Sequence, residues 1–474
     1  MSIAYVDPGN LESDLQTGSK TGYVLLWLLL LTTLMGFLVQ IQSAKLGVAT
    51  GKHLAQHCRE QYNIVPRLVL WIMAEVAIIG SDIQEVVGSA IAISLLSGGR
   101  VPLWAGVLIT GADAFVLLLL ERFGVRILEA SFGIMIAMMG VSFGIMYWKA
   151  DVPTNAVLEG FLIPRLPRKD VPTAVALVGS LIMPHNIYLH SALVQSRKAF
   201  STTDDCKKEA ILYFNIESAL SLLSSIFINL YVVGVFAHGF YDMDGAPEEI
   251  GLENAGKYLG ETYGHFMVVI WALGLLAAGQ SSTMTGTYTG QFVMQGYLDL
   301  KIKPWVRVLF TRCVAIIPAV AVAMYFDGAG LGLDHLNQSL NLLQSIQLPF
   351  ALLPLLLLTS SVDIMGEKFV NSTLTTVATS SVAFLVVAIN AWGVFEAVVT
   401  QEIIMNSRIL VTLVTIVVLV YLNFLLYLVY LAYGRSCKAV LQRLLDRHSA
   451  ALPEEKEKLL PEAMQDMQSL PAST

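Results

Sequence analysis

Long apolar runs separated by short polar stretches pattern this 474-residue chain from residue 23 onward. The runs fall at about 23–44, 67–96, 101–120, 127–148, 171–194, 210–236, 267–294, 306–325, 336–358, 376–395 and 410–433. Each approaches or exceeds the roughly 20 residues that a helix needs to cross a hydrocarbon core. Only helices and closed barrels satisfy every backbone group in lipid, and continuous apolar runs of this length predict helices. The chain therefore reads as an all-α polytopic membrane protein. One further element precedes the first run, and it is short. Six residues, Met1 to Val6, stand before Asp7 and span about 9 Å, against the roughly 15 Å of half a hydrocarbon core. The expectation is a first helix whose leading half is incomplete in this sequence.

The run at 171–194 contains its own interruption, Ser180-Leu181-Ile182-Met183-Pro184-His185-Asn186. Pro184 has no N–H and its ring clashes with the carbonyl four residues back, which releases backbone groups near Ser180 from helical pairing. Carbonyls freed at membrane depth persist only where they line a cavity or bind something. Asp7-Pro8-Gly9-Asn10 has the same form, a liganding side chain followed by Pro, one residue and Asn. Paired broken segments in corresponding halves of a chain mark a transporter's midplane binding site. Asp7 and Asn10 offer hard oxygens and Met183 a soft sulfur. Mg²⁺ and Ca²⁺ take oxygen alone, whereas Mn²⁺, Fe²⁺, Co²⁺ and Cd²⁺ accept a thioether. The donor set points to a transition-metal site.

On these residues the chain closely resembles the Nramp family of proton-coupled divalent metal transporters, whose marks are DPGN in the first helix and MPH in the sixth. The resemblance extends through Ile182 to Leu193 and through the family's transport signature, Gly279 to Phe292, and covers roughly residues 1 to 434. It implies a LeuT-type 5+5 inverted-repeat fold with helices 1 and 6 broken and two further C-terminal helices. Residues 1–170 would then carry helices 1–5, 171–360 helices 6–10, and 361–434 helices 11 and 12. Residues 435–474 would form a cytoplasmic tail, expected to be disordered because its polar sequence has little to bury.

The resemblance also implies a ligand set. The Asp7 carboxylate, Asn10 amide oxygen, Met183 sulfur and Ser180 backbone carbonyl would hold the metal; the family usually has Ala or Cys at the Ser180 position, which is immaterial to a carbonyl. Asn341 or Gln344 matches a polar tenth-helix position near the metal, and the choice between them stays open. A proton pathway would run through Asp7, Glu75, Asp82 and Glu85, with Arg312 as counter-charge and His185 and His190 as modulators. The carboxylates also stand out by position. Spacings of seven and three put Glu75, Asp82 and Glu85 near one face of a helix, and each costs about 3 kcal/mol inside a membrane unless that face is wet or paired.

Composition agrees with this picture and adds a few exclusions. With 55% hydrophobic and 14% charged residues, the chain is not an ordinary soluble protein. A net charge of −7 says little about partners, because charge is sorted by loop; no nucleic-acid partner is expected, and four scattered cysteines give neither a disulfide framework nor a zinc site. No nucleophile, base and orienter constellation suggests an enzyme, and no cofactor is expected beyond the transported metal and the proton. The partners are thus metal ions, protons and the lipid bilayer, with a monomer expected. Lys and Arg concentrate on the side of Lys45, Lys52, Arg59, Lys207, Lys208, Lys301, Lys303, Arg435 and Lys438, placing both termini in the cytoplasm; Arg165, Arg168 and Lys169 are the exception. Glu455 to Leu460 fits an acidic dileucine pattern, so an endosomal or vacuolar membrane and the plasma membrane both remain open. Two alternatives keep the fold. A cation-coupled amino-acid carrier is disfavoured by Met183 beside a carboxylate, and a non-transporting metal sensor by the short tail.

Overall fold

In the computed structural model, residues 6–196, 203–241, 250–300, 303–325, 331–400 and 408–450 are described. They divide into two compact units, residues 1–417 and 418–474. Among its described residues the regular elements of the first unit are all helices: α1 Pro8–Thr21, α2 Leu26–Thr50, α3 Leu54–Gln61, α4 Ile64–Leu96, α5 Leu103–Lys149 and α6 Thr154–Leu162. There follow α7 Val171–Leu181, α8 Pro184–Leu193, α9 Asp204–Phe240, α10 Leu252–Tyr263, α11 His265–Leu298 and α12 Pro304–Tyr325. The last elements are α13 Leu331–Thr359, the short α14 Val362–Met365, α15 Thr373–Thr400 and α16 Arg408–Ala450, which runs on into the second unit. Among the described residues, nine helical stretches are long and apolar enough to cross a membrane.

Hydropathy located the long apolar helices among these, because lipid forces each backbone to pair internally. It misjudged two places. The segments predicted at 101–120 and 127–148 are one continuous helix, α5: no proline separates them, and the Leu and Glu residues around Arg122 and Arg126 favour helix strongly enough to carry the backbone through Gly124. The tail expected to be disordered from residue 435 is helical as far as Ala450, where Ala439, Val440, Leu441, Leu444 and Leu445 recur at helical spacing. Residues 1–5, where the truncated half-helix was expected, and the dileucine pattern at 455–460 lie outside the described residues.

Helix packing inside a membrane gains little from the hydrophobic effect and depends on close van der Waals fit and small residues. The α4–α11 seam follows that rule, with Gly279 of α11 lying against Ser89 of α4. The core where α5, α9 and α11 converge is aromatic: Phe143 and Trp271 stand 5.4 Å apart between ring centres, and Phe236 and Trp271 6.1 Å. Trp271 Nε1 donates to the Leu252 carbonyl at 3.1 Å, satisfying its polar end and fastening α10 to the bundle.

The polar loop helix α3 was not anticipated. It is held by Leu54 N–H donating to Ser191 Oγ (3.0 Å) and by a 2.8 Å contact between His57 Nε2 and Thr50 Oγ1. Burial lowers both of its histidines from the usual 6.5 to about 4; His57 acts on His53 in the same direction, while at His57 the nearby Glu60 opposes burial and Lys52 adds to it. The unfolded chain therefore binds protons that the folded one refuses, and α3 loses stability as pH falls from about 6.5 toward 4. Hydrogen exchange of α3 amides should accelerate over that window, after correction for intrinsic rates, and a His53→Gln/His57→Gln variant should flatten the response.

Candidate functional site

The sixth predicted segment is broken where proline required it, with Ile182 and Met183 standing between α7 and α8. The starts of α1 and α8 share one local architecture. Asp7 and Met183 are the N-caps, Pro8 and Pro184 occupy the first helical position, and Asn10 and Asn186 the third. Proline suits that position because its missing N–H is unpaired there in any helix. Asp7 Oδ1 accepts from Asn10 N–H at 2.7 Å, so the carboxylate sits at the positive end of α1. Met183 Sδ lies 3.6 Å from Asn186 Nδ2, and the Met183 carbonyl accepts from Asn186 N–H at 3.2 Å.

On the other side of the break, α7 ends with its negative pole toward the gap. The Val178 carbonyl is taken by Ile182 N–H at 3.1 Å. The helical partner of the Ser180 carbonyl would be the N–H of residue 184, which proline lacks. Ser180 Oγ is turned back to the Leu177 carbonyl at 3.1 Å, so this residue presents its backbone and not its hydroxyl. Asp7, Asn10, Ser180 and Met183 are all at most 3% exposed. Among the described residues no three His, Cys, Asp or Glu side chains converge as a metal cage. A mixed set of carboxylate, amide, thioether and carbonyl is the donor chemistry that the two breaks supply.

Asn341 of α13 joins the two broken segments. Its Nδ2 donates to the Gly9 carbonyl at 3.0 Å, directly after Asp7-Pro8. Its backbone carbonyl lies so close to Gly179, directly before Ser180, that a Cβ on Gly179 would overlap it. Asn341 Oδ1 in turn accepts from Gln84 Nε2 (2.7 Å), and Gln84 Oε1 accepts from Gln344 Nε2 (2.6 Å). The two tenth-helix candidates are thus brought together by Gln84 of α4. Sequence reasoning passed over Gln84 because it carries no charge; its place between Asp82 and Glu85 was the available signal.

The carboxylates of α4 lie against α11 and α12. A Cβ at Gly286, within the signature of α11, would stand 3.1 Å from Asp82 Oδ1 and 3.5 Å from Glu85 Oε1. Ser81 Oγ donates to Glu85 Oε1 at 3.2 Å. Glu75 is paired with Arg307, whose Nη2 lies 2.9 Å from Glu75 Oε2, while Trp71 Nε1 donates to Glu75 Oε1 at 3.1 Å. Arg307 is thus the counter-charge of Glu75; Arg312, the expected counter-charge, has its side chain outside the described residues. The guanidinium occupies the space left by the absent side chain of Gly290. His185 and His190 are buried, and His190 has neither ring nitrogen hydrogen-bonded among the described residues, its ring lying edge-on to Phe214 at 6.5 Å.

A profile of the family described as Natural resistance-associated macrophage protein-like (Nramp) matches residues 1–396. A curated relative named metal transporter Nramp3, from Arabidopsis thaliana, is 55% identical over 399 residues, which are 84% of this chain and 78% of that protein. Another, named metal transporter nramp1 homolog, from Dictyostelium discoideum, is 54% identical over 392 residues, 83% and 72% of the two chains. Among solved structures, the manganese transporter of Eremococcus coleocola matches with a TM-score of 0.81 over 91% of this chain and 93% of that one, at 27% identity.

Proposed function

The chain belongs to the Nramp family, and from that premise we propose that it is a secondary transporter carrying divalent transition-metal ions across a membrane, coupled to protons. The carrying observation is the meeting of two helix breaks at Asn341, whose amide holds the Gly9 carbonyl and whose own carbonyl abuts Gly179; the two breaks carry a carboxylate, an amide, a thioether and a carbonyl without its helical partner. Mn²⁺ and Fe²⁺ suit this mixed set foremost, and Co²⁺ and Cd²⁺ by the same chemistry. Asp7, Asn10, Met183 and the Ser180 carbonyl hold the ion, while Asn341 and Gln344 brace the site through Gly9 and Gln84. Braces of this kind also allow movement, since the amides that tie α13 to α1 and α4 are suited to turn toward an ion when the half-helices shift.

Coupling follows from the ligands themselves. Asp7 binds metal only when deprotonated, so metal binding and proton movement are linked. Glu75, Asp82 and Glu85 lead away from the site along the α4–α11 seam, and the proton leaves by that route toward the cytoplasm. Both termini face the cytoplasm in this reading, following the Lys and Arg asymmetry.

Met183 is the selectivity element. The thioether is a poor ligand for Ca²⁺ and Mg²⁺ and a good one for the softer ions. Met183→Ala should lower Mn²⁺ uptake roughly tenfold, about 1.4 kcal/mol, while reducing discrimination against Ca²⁺ by at least as much. Competition of Ca²⁺ with Mn²⁺ uptake into proteoliposomes measures this, and unaltered discrimination would remove sulfur as the filter. The function itself is tested in the same vesicles: Mn²⁺ uptake must rise when an inward proton gradient is imposed and must acidify the lumen. Uptake indifferent to the gradient would leave metal transport standing and sink proton coupling.

A further inference from the structure

Asp14 of α1 is a buried carboxylate that the transport scheme above does not use. It is 0% exposed, and its Oδ1 has no hydrogen-bond partner among the described residues. With the Asn229 amide oriented to donate, Asn229 Nδ2 lies 3.1 Å from Asp14 Oδ2 and 3.0 Å from the Ser225 carbonyl. Among the described residues no cation pairs with Asp14. An ionisable group kept in a membrane interior without a counter-charge costs about 3 kcal/mol on insertion scales and marks a pathway for ions or protons by default.

Asp14 follows Asp7 by seven residues, two helical turns, so the two lie on one face of α1 about 10 Å apart along the axis. Gly18, one turn beyond Asp14, packs against the Val233 and Ala237 backbone of α9, a stretch that begins one turn beyond the Asn229 that Asp14 meets. The two helices therefore run in the same direction and in register. That register puts the earlier residues of α9 beside the Asp7 end of α1. Those residues are polar and buried: Ser225, Ser221 and Ser218 follow Asn229 down one face of α9.

Resting on the proton coupling and orientation proposed above, we propose that Asp14 is the outer proton acceptor of the transporter, loading protons from the outer water and passing them inward along the Ser225–Ser221–Ser218 face of α9. The step is a bare proton transfer. An O–H bond forms at Asp14 Oδ1 with a proton from the outer water, and the same bond breaks when the proton moves inward, leaving the carboxylate. A divalent ion fits this place poorly, because one carboxylate with an amide nitrogen already donating to it supplies too few oxygens.

α9 itself carries Glu217, directly before Ser218, and Tyr231 and His238 toward its far end. On α1 the titratable groups are Asp7, Glu12 and Lys20; Glu12 Oε1 accepts from Gln16 at 2.7 Å and Lys20 reaches Gln338 at 3.4 Å. On α10, Glu253 is paired with Lys257 at 2.8 Å, and the Tyr258 ring lies tilted against Phe240, 4.4 Å between ring centres. α4 brings Asp82 and Glu85, α7 begins beside Asp170, α13 carries His335, and α11 opens on His265. Asp7 is the charged group that acts electrostatically on Asp14.

The test uses the full chain in proteoliposomes containing a pH-sensitive dye, held at a fixed inside-negative potential, with Mn²⁺ as the probe. In Asp14→Asn, protons entering per metal ion should fall roughly tenfold or more, equivalent to about 1.4 kcal/mol in the barrier to proton entry. Its metal uptake should also lose its dependence on outer pH, and Asp14→Glu should restore both. Unchanged protons per metal ion in Asp14→Asn would overturn the proposal. So would a raised KM for Mn²⁺ with proton entry intact, since that result makes Asp14 a metal way-station. The wild-type arm tests coupling itself, so loss of coupling there is distinct from failure of the Asp14 step. Infrared pH titration of the folded protein gives a second readout: a carboxyl C=O band must disappear in Asp14→Asn, and an unaltered spectrum would overturn the assignment.

Discussion

Mn²⁺ uptake by the Asp7→Ala variant should fall to the background of empty vesicles. The carboxylate is the one negative side chain at either break, and it is 2% exposed at the head of α1. A divalent ion taken from water into that interior needs a compensating charge, because desolvating it costs far more than neutral donors return. Alanine also removes the cap that Asn10 N–H finds on Asp7 Oδ1 at 2.7 Å, worth about 1 kcal/mol to α1. Asp7→Asn separates the two effects, since asparagine caps a helix as well as aspartate does. It should fold like the wild type in thermal denaturation and still lose roughly a hundredfold or more in uptake, about 2.7 kcal/mol. Wild-type uptake from either variant would remove Asp7 from the ion's coordination.

Arg307→Ala should produce the largest loss of stability. Glu75 and Arg307 are 14% and 4% exposed as side chains and lie 2.9 Å apart. Deleting one partner of such a pair strands the other charge and typically costs about 3–5 kcal/mol. The loss should appear as a lower unfolding temperature in detergent and lower yield. Glu75→Gln on the Arg307→Ala background should recover a large part of it, because the stranded carboxylate is gone. Arg307→Lys should recover less than the charge alone suggests, since a lysine ammonium cannot lie flat in the slot left by Gly290 as the guanidinium does. Arg307→Ala with wild-type thermal stability would show that the pair contributes nothing net.

The two breaks were legible because proline acts through covalent chemistry: Pro8 and Pro184 have no N–H to give, whatever surrounds them. The donor chemistry at the breaks was legible for a related reason, since Asp7 and Met183 stand directly before their prolines and their chemical types are fixed. Arg307 was not. It lies at the start of an apolar run and reads as a loop charge, and only the missing side chain of Gly290 on another helix makes room for it inside. Gln84 escaped notice because an amide has no charge, and intramembrane readings follow charge. Asp14 drew no notice in the sequence, and that no cation pairs with it among the described residues depends on Asn229 of α9 standing beside it.

Taken alone, the sequence determined most of the long apolar helices, where α1 begins and α7 gives way to α8, and which donor types stand at those two breaks. These are local matters of hydration and backbone pairing, decided within about 20 residues. The tertiary structure decided which distant residues meet them. Asn341 binds Gly9 across 332 positions of chain and Gln84 across 257. Such pairings depend on small differences in fit between helices that are all equally apolar to lipid, and no local pattern encodes them.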